Sequence, residues 1–453
     1  MQYKLSPKEV DSLNDMLSKG IFYGRLRSNS FFYDNKDNSK DYIISGFGGS
    51  LIYKSAYLDG FGFTTGFYTT KSILKVGNDN IAEYRAGKDT FSRYDKATAH
   101  KDSIESLAQA FIEYRYNRSR IRFGRQLFES FLTKSNDTKM IPNSFEGLTF
   151  QTIDIPSTKI KTALLTKQKL RDHSKFHHIL AYGDNPNDNY TQWSENDDGA
   201  MHRGLTLSRL KKRGIDDRLV VFDLTNRSLK SSTIKFNYTV VPELLSYMMM
   251  EGNHKFDFEN FRVIPSMRFM YQFDNGAGEI AGANLKNNTV GYRDKDSLDA
   301  QLFAFKVDLM RDIWSLRFGY STVANRGDIV APWRGFPTAG YTRAMGQTNW
   351  YANTDAYLIR ADYNLGKAGV IPHSKMMMRY VIQDFDDDKA GVQSDSRVVT
   401  FDIVKKGFIS FPSLYTKLRV AHISGDSHTI AKDGTLKKEP SYNEIRLEFN
   451  YLF

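Results

Sequence analysis

The sequence contains no cysteine. A disulfide framework, a CxxC redox pair, a thiolate zinc or iron–sulfur site and a cysteine nucleophile are therefore all excluded. Proline (11) and tryptophan (4) are sparse in the 453 residues, and no run approaches the ~20 apolar residues that a membrane-spanning helix requires. No GxSxG, HExxH or kinase signature set is present, and Phe47-Gly48-Gly49-Ser50 lacks the lysine of a phosphate-binding loop, so nothing points to an enzyme. No basic segment followed by an apolar one opens the chain, as expected of a mature form whose targeting segment has been removed.

What is abundant is positive charge and aromatic surface. Lys+Arg number 63 against 52 Asp+Glu, a formal net charge of +11, and Phe, Tyr and Trp make up 14% of the residues. The mean hydropathy is nonetheless −0.50. A membrane β-barrel combines these features, because each of its strands is only half apolar. Near the N-terminus, Ser6-Pro7-Lys8-Glu9 reads as a capping box, with Val10, Leu13, Met16 and Leu17 on one helical face and Gly20 as the stop. Residues 1–19 are thus expected to be an N-terminal periplasmic helical segment, and 20–453 a single barrel domain.

From Gly20 the period changes to 2. Between Tyr23 and Tyr33, Arg25, Arg27 and Asn29 share one phase while Gly24, Leu26 and Phe32 share the other. Similar alternation recurs at 104–116, 159–166, 232–241, 262–273, 301–309, 313–320, 355–365, 374–382, 397–404, 414–422 and 443–453. Short connections (117–119, 156–158, 311–312, 366–372) alternate with long ones (171–217, 274–297, 326–354, 425–441). The pattern predicts an all-β, transmembrane antiparallel barrel of about 18 strands, with short periplasmic turns and long extracellular loops folded into the lumen. At the C-terminus, Ile445, Leu447, Phe449, Tyr451 and Phe453 occupy one phase, and Arg446, Glu448 and Asn450 the other. A strand with an aromatic-capped apolar face and a terminal Phe looks like the closing strand of a bacterial outer-membrane barrel.

A Lys or Arg on the lipid face at the bilayer midplane costs ~2–4 kcal/mol, so the charged phase must face the lumen. Arg25, Arg27, Arg115, Arg268, Arg317, Arg360, Arg379, Lys417, Arg419 and Arg446 are then lumen candidates, with Glu113, Asp362 and Glu448 as acidic counterparts. Arginines in a row keep their charge and can pass a carboxylate from one guanidinium to the next. The constriction is expected from 126–144, with Phe128, Phe131, Lys134, Asp137 and Lys139, and from 326–354, with Trp333, Arg334, Tyr341 and Arg343. Because the basic residues fall in strand phases rather than in one surface cluster, nucleic acid is not an expected partner.

Ile141-Pro142-Asn143 followed by Phe145-Glu146-Gly147, together with Met378-Arg379-Tyr380, Lys417-Leu418-Arg419 and Asn443-Glu444-Ile445-Arg446-Leu447, resembles corresponding stretches of the OprD family of substrate-specific outer-membrane porins. Trp333, Phe336-Pro337-Thr338 and Tyr341-Thr342 fit its divergent members, including relatives among the major outer-membrane porins. The resemblance implies an 18-stranded barrel in a Gram-negative outer membrane, narrowed by the third and seventh extracellular loops. It also implies a basic ladder along one wall. That ladder falls on Arg27, Arg379, Lys417, Arg419 and Arg446, with Arg25 beside it. Where the pattern has another arginine this chain has Asp362, with Arg360 two residues earlier. The expected partners are outer-membrane lipid, lipopolysaccharide and small solutes, with the chain a monomer or homotrimer. The expected function is passive diffusion of small hydrophilic solutes bearing carboxylates, such as amino acids, organic acids or short peptides. The alternative is a surface adhesin or receptor on a plugged barrel, acting through loops such as 171–217.

Two further clusters are weaker. Asp384, Asp386 and Asp388 are spaced like the start of a calcium loop, but Lys389 stands where the loop needs glycine and the closing glutamate is missing, so calcium is at most a weak expectation at an acidic loop and no other cofactor is expected. His173, His177 and His178 lack a carboxylate at helical spacing, so no zinc site is expected.

Overall fold

The computed structural model describes residues 6–36, 40–78, 80, 84, 90–184, 201–345, 348–408 and 410–453. Among these, eighteen long strands follow the period-2 pattern: β1 Ile21–Asn35, β2 Tyr42–Lys54, β3 Phe61–Val76, β4 Ser103–Tyr116, β5 Ser119–Gln126, β6 Ser144–Thr152, β7 Thr158–Lys169, β8 Leu219–Asn226, β9 Ser232–Val241, β10 Leu245–His254, β11 Arg262–Asp274, β12 Ala300–Met310, β13 Trp314–Val323, β14 Thr354–Tyr363, β15 Ser374–Asp384, β16 Ser396–Phe408, β17 Phe411–Gly425 and β18 Tyr442–Leu452. Each pairs antiparallel with the next in sequence. The sheet closes where β1 meets β18, with Arg25 opposite Leu452 and Asn35 opposite Tyr442. Closure leaves no unpaired edge, as the hydrocarbon layer demands.

Eight turns (55–60, 117–118, 153–157, 227–231, 255–261, 311–313, 364–373, 409–410) share one rim with both chain ends. Nine connections at the other rim are numbered one to nine: 36–41, 77–102, 127–143, 170–218, 242–244, 275–299, 324–353, 385–395 and 426–441. The first, of six residues, and the fifth, of three, are exceptions to the long-loop rule. Much of the fourth (185–200), on which the adhesin alternative leaned, lies outside the described residues.

The strand phases are those the sequence predicts. In β18, Glu444, Arg446 and Glu448 are buried, while Ile445, Phe449 and Tyr451 are exposed, as is Phe453. Around the wall Leu26, Phe67, Ile112, Phe123, Met267, Phe318 and Ile359 are exposed too. So continuous an apolar belt is a lipid-facing surface. Aromatic pairs gather at the short-turn rim: Phe22 with Tyr53, Phe61 with Tyr114, and Phe258 stacked on Phe261 at 4.7 Å. Their amphipathic or polarisable rings suit the headgroup level.

The densest apolar core sits inside the barrel, not between layers of sheet. Phe128 and Leu132 of loop three, Ile179 and Leu180 of loop four, Leu285 of loop six and Trp333 and Trp350 of loop seven pack with strand residues such as Tyr247 and Phe145. The loops therefore form their own buried plug around the lumen.

The N-terminal segment departs from expectation. Helix α1 covers only Leu13–Ser18, capped by Ser12, whose hydroxyl accepts from the Asp15 N–H at 3.1 Å. Glu9 and Val10 instead pair in parallel with Tyr57 and Leu58 of the first turn. The capping-box reading at Ser6 fails because the backbone N–H and C=O groups there find sheet partners; for example, Tyr57 N–H donates to Lys8 O at 2.9 Å. Leu13 and Leu17 stay exposed, so of the predicted apolar face only Val10 and Met16 are partly covered.

The phase assignment makes a stability prediction. Phe318, exposed mid-strand in β13, should resist charge: Phe318→Arg is expected to cost about 2–4 kcal/mol. Denaturant unfolding in lipid vesicles measures it, and a change below about 0.5 kcal/mol, typical of an unconstrained surface site, would contradict a lipid-facing assignment.

Candidate pore and its constriction

Loop three is held against the wall by β1. The alternation of β1 puts Arg25 and Arg27 on its lumen face, 6% and 2% exposed. Both guanidiniums bond the Asp137 carboxylate, Arg27 at 3.0 Å, and Arg27 also donates to the carbonyls of Asp137 (3.2 Å), Lys139 and Met140 (3.2 Å). Lys139, on the same loop, pairs with Glu448 of β18. One loop segment is thus tied to the barrel seam by charge-assisted bonds at several points.

Loop seven is held from the opposite wall. Arg268 of β11 pairs with Glu251 of β10 and donates to the carbonyls of Pro337 (2.6 Å) and Ala339 (3.0 Å). Arg317 of β13 bonds Asp308 at 2.6 Å and donates to Gly340 O at 2.9 Å. The two loops then join each other. Thr133 and Arg334 form a β-bridge, Lys134 N–H donates to Trp333 O at 2.9 Å, and Gly335 N–H donates to Leu132 O at 2.8 Å. A side chain at Gly335 would collide with the Leu132 carbonyl, so the close approach depends on glycine there.

At this junction lies a narrow cavity of about 220 Å³, lined by Phe31, Asn136, Thr138, Lys139, Arg171, Arg334, Phe336, Arg343, Ala344, Met345, Arg379, Arg419 and Arg446. Seven of these residues are basic and none is acidic. Behind them the wall carboxylates balance part of the charge. Arg419 forks onto Asp402 (2.5 and 2.6 Å), Lys417 reaches the same carboxylate at 3.2 Å, and Arg446 bonds Glu444 at 2.5 and 2.8 Å. Arg379 has no ion pair within the described residues, where it donates to the Met377 thioether at 3.3 Å. Arg343 lies over Phe336 (4.4 Å) and Trp350 (5.2 Å), arrangements that hold a cation without neutralising it.

Two larger cavities flank this eyelet on the short-turn side. One, about 450 Å³, is lined by Arg25, Arg27, Asp137, Arg360, Asp362, Lys375, Asp402, Lys406 and apolar groups including Met376, Met377 and Val404. The other, about 590 Å³, lies against β7–β13.

The expected constriction residues separate into three groups. Lys139, Arg334 and Arg343 line the eyelet. Asp137 serves as the anchor and faces the first flanking cavity, while Phe131, Lys134 and Tyr341 face the second. Phe128 and Trp333 do not line the passage. Phe128 is 6% exposed within the loop core, and Trp333 is fully buried, its indole N–H donating to Ile179 O at 2.7 Å. Their large apolar surface is worth more in the plug than in contact with water. Of the expected ladder, Arg379, Arg419 and Arg446 reach the eyelet, while Arg25, Arg27 and Arg360 line the first flanking cavity. Arg360 is closed on Asp362 by two bonds of 2.7 and 2.6 Å, the local zwitterion that the sequence pattern allows. Arg115 pairs with Glu113 at 2.5 Å beside the first turn.

Arg171 and Asp402 were not anticipated. Asp402 shares the buried face of β16 with Val398 and Thr400, inside the alternation at 397–404, and that phase alone would have found it. Arg171 lies past the end of β7, where Gln168, Lys169, Leu170 and Asp172 are buried as well, so no alternation singles it out.

The acidic and histidine clusters have structural partners. Asp386 receives the Lys389 ammonium, Asn353 Nδ2 at 2.8 Å and Asp388 N–H at 2.9 Å. His173 and His177 are 2.8 Å apart, and His178 bonds Asp217 at 2.9 Å, whose other oxygen takes the N–H groups of Leu180 and Ala181. Burial depresses the pKa of His177 to about 4, so that imidazole is neutral at neutral pH. Within the described residues no group of three or more His, Asp or Glu side chains is arranged to hold a metal ion.

A closed 18-stranded barrel with a lipid-facing belt and charged loops folded across its lumen defines a class, the outer-membrane channel-forming barrels. The comparisons then point within that class. The family model described as "outer membrane porin, OprD family" matches residues 28–202. Pseudomonas aeruginosa OccK8 (OprE) superposes with a TM-score of 0.73 at 14% identity, covering 97% of this chain and 99% of that one. Pseudomonas aeruginosa OpdK gives 0.73 at 13% over the same shares. Acinetobacter baumannii OccAB3 gives 0.70 at 15%, covering 96% and 100%. No curated protein sequence matches the chain. The chain thus resembles the OprD family in sequence over its first strands and in fold throughout, and its place is the outer membrane of a Gram-negative bacterium. This fold and this family are those of channels rather than enzymes.

The anchor can be tested directly. Asp137→Ala leaves two buried guanidiniums facing each other, and losing one partner of a buried pair costs about 3–5 kcal/mol. Loop three is expected to detach, giving larger and noisier single-channel currents; currents indistinguishable from the parent protein would contradict the anchoring role.

Proposed function

We propose that the barrel is a passive channel for small hydrophilic anions, chiefly carboxylate-bearing solutes such as amino acids, organic acids and short peptides. The observation that carries this reading is the eyelet lining: Lys139 and six arginines, without a carboxylate among them. A carboxylate that sheds water to enter can be met by planar guanidinium forks, each contact offsetting part of its lost hydration. Arg379 has the strongest claim to contact the solute, since Arg419 and Arg446 already share wall carboxylates. Beyond the eyelet, the first flanking cavity sets Lys375 and Lys406 beside methionine and valine side chains, with Arg25, Arg27 and Arg360 held on Asp137 and Asp362, a lining suited to a carboxylate with a short apolar body. A structural neighbour, Pseudomonas aeruginosa OpdK, was solved with vanillate, which is in keeping with that chemistry.

Reversal potentials of purified protein in planar bilayers under a potassium chloride gradient test the reading. Chloride preference is expected in the parent protein, and Arg379→Glu should move the potential toward cation preference. A cation-selective parent channel, or one that shows no discrete conductance, would contradict it.

A further inference from the structure

Of the two cavities that flank the eyelet, the more cationic is the one away from the ladder side. The 590 Å³ cavity against β7–β13 contains five lysines, Lys134, Lys159, Lys161, Lys235 and Lys306, with Arg268, Arg317 and Arg334 around them. Only two acids, Asp223 and Glu251, share its lining, whereas the ladder-side cavity sets Asp137, Asp362 and Asp402 against its cations. The arginines at the lysine cavity are already engaged: Arg268 with Glu251 and two loop-seven carbonyls, Arg317 with Asp308 and Gly340 O. Two of the lysines are held more loosely: Lys134 lies 3.5 Å from Glu129, and Lys159 makes no ion pair within the described residues, while Lys161 lies 3.7 Å from Asp223 and donates to Glu129 O. Lys235 and Lys306 are tied to Glu251 (2.6 Å) and Asp308 (2.8 Å), acids they share with Arg268 and Arg317.

Ammonium groups on flexible stems differ from guanidinium forks in what they recognise. A fork matches carboxylates and phosphates alike, while several ammonium point charges converging from different strands have no planar preference and gain most from a compact oxyanion carrying more than one charge. A phosphate ester carries close to two charges at neutral pH on three terminal oxygens. Phe236 lines the cavity beside Phe131 and Tyr341, whose rings carry the Arg268 guanidinium at 4.8 and 4.6 Å, and adds apolar surface for an organic portion of such a solute.

We propose that this cavity is a second anion site, separate from the arginine ladder, that holds phosphate-bearing solutes on the periplasmic side of the constriction. It rests on the reading of the barrel as an anion channel. A phosphorylated solute leaving the eyelet then partitions to the β7–β13 wall, while a monocarboxylate follows the arginines.

The test is block of the chloride current by inorganic pyrophosphate added on the short-turn side of a planar bilayer. In Lys159→Gln/Lys306→Gln the concentration for half block is expected to rise at least about tenfold, in Lys159→Gln alone about threefold, and in Arg379→Gln less than about twofold. Should the double variant fail to assemble, the single one carries the comparison. Block that is unchanged in the lysine variants, or removed by Arg379→Gln instead, overturns the proposal. Equal, lysine-dependent block by citrate overturns the phosphate assignment. Reversal potentials from the same membranes separate the two readings: an anion-selective parent with lysine-independent block refutes this site alone, whereas a cation-selective parent refutes the channel reading beneath it.

Discussion

One carboxylate organises the pore. Asp137 sits on a loop whose Phe128 and Leu132 pack in the core inside the barrel, and its path along the wall is set by Arg25 and Arg27, which project from the lumen face of β1 with almost no access to water. Two adjacent buried guanidiniums without a counter-charge would be untenable. Bringing in Asp137 resolves that electrostatic problem and, in the same step, places Lys139 against Glu448 and Thr133 against Arg334. The loop's path follows from the wall's charge pattern.

Loop seven repeats the logic with backbone in place of a carboxylate. Arg268 and Arg317, each already bonded to a wall acid, spend their remaining donors on three consecutive-region carbonyls of 337–340. The loop core of Trp333, Trp350 and Tyr247 then stiffens the arrangement from above. Lumen arginines thus have two roles. Some are structural clamps whose charge is consumed, and others, among them Arg379, line the eyelet without an ion pair among the described residues. A uniform ladder in sequence becomes a division of labour in space because the carboxylates Asp402, Glu444, Glu448, Glu251 and Asp308 are placed unevenly along the wall.

Much of the barrel was legible in the sequence for a physical reason. Lipid on one side and water on the other enforce strict alternation, so the phases of β1 and β18 could be read residue by residue, and Ser232–Val241 and the flanks of β15 fell where the pattern put them. The N-terminal helix was misplaced because a capping motif at Ser6 competes with backbone pairing to Tyr57, which only the tertiary structure supplies. Loop residues were harder still. Nothing local distinguishes Trp333, which is buried against Ile179, from Arg334, which faces the eyelet, since their orientation is decided by the bridge to Thr133 two hundred positions earlier. The lysine cavity escaped notice for a related cause: its members come one or two at a time from β7, β9, β12 and loop three, and only closure of the barrel brings them together.

The central claim is that the junction of loops three and seven is a place where anions, not cations, reside. Anomalous diffraction from crystals soaked in bromide, with parallel crystals soaked in rubidium, reads this without any kinetic assumption. Bromide is expected at the eyelet beside Arg379, with rubidium absent from it; rubidium density there, or an eyelet that bromide avoids, would contradict the account.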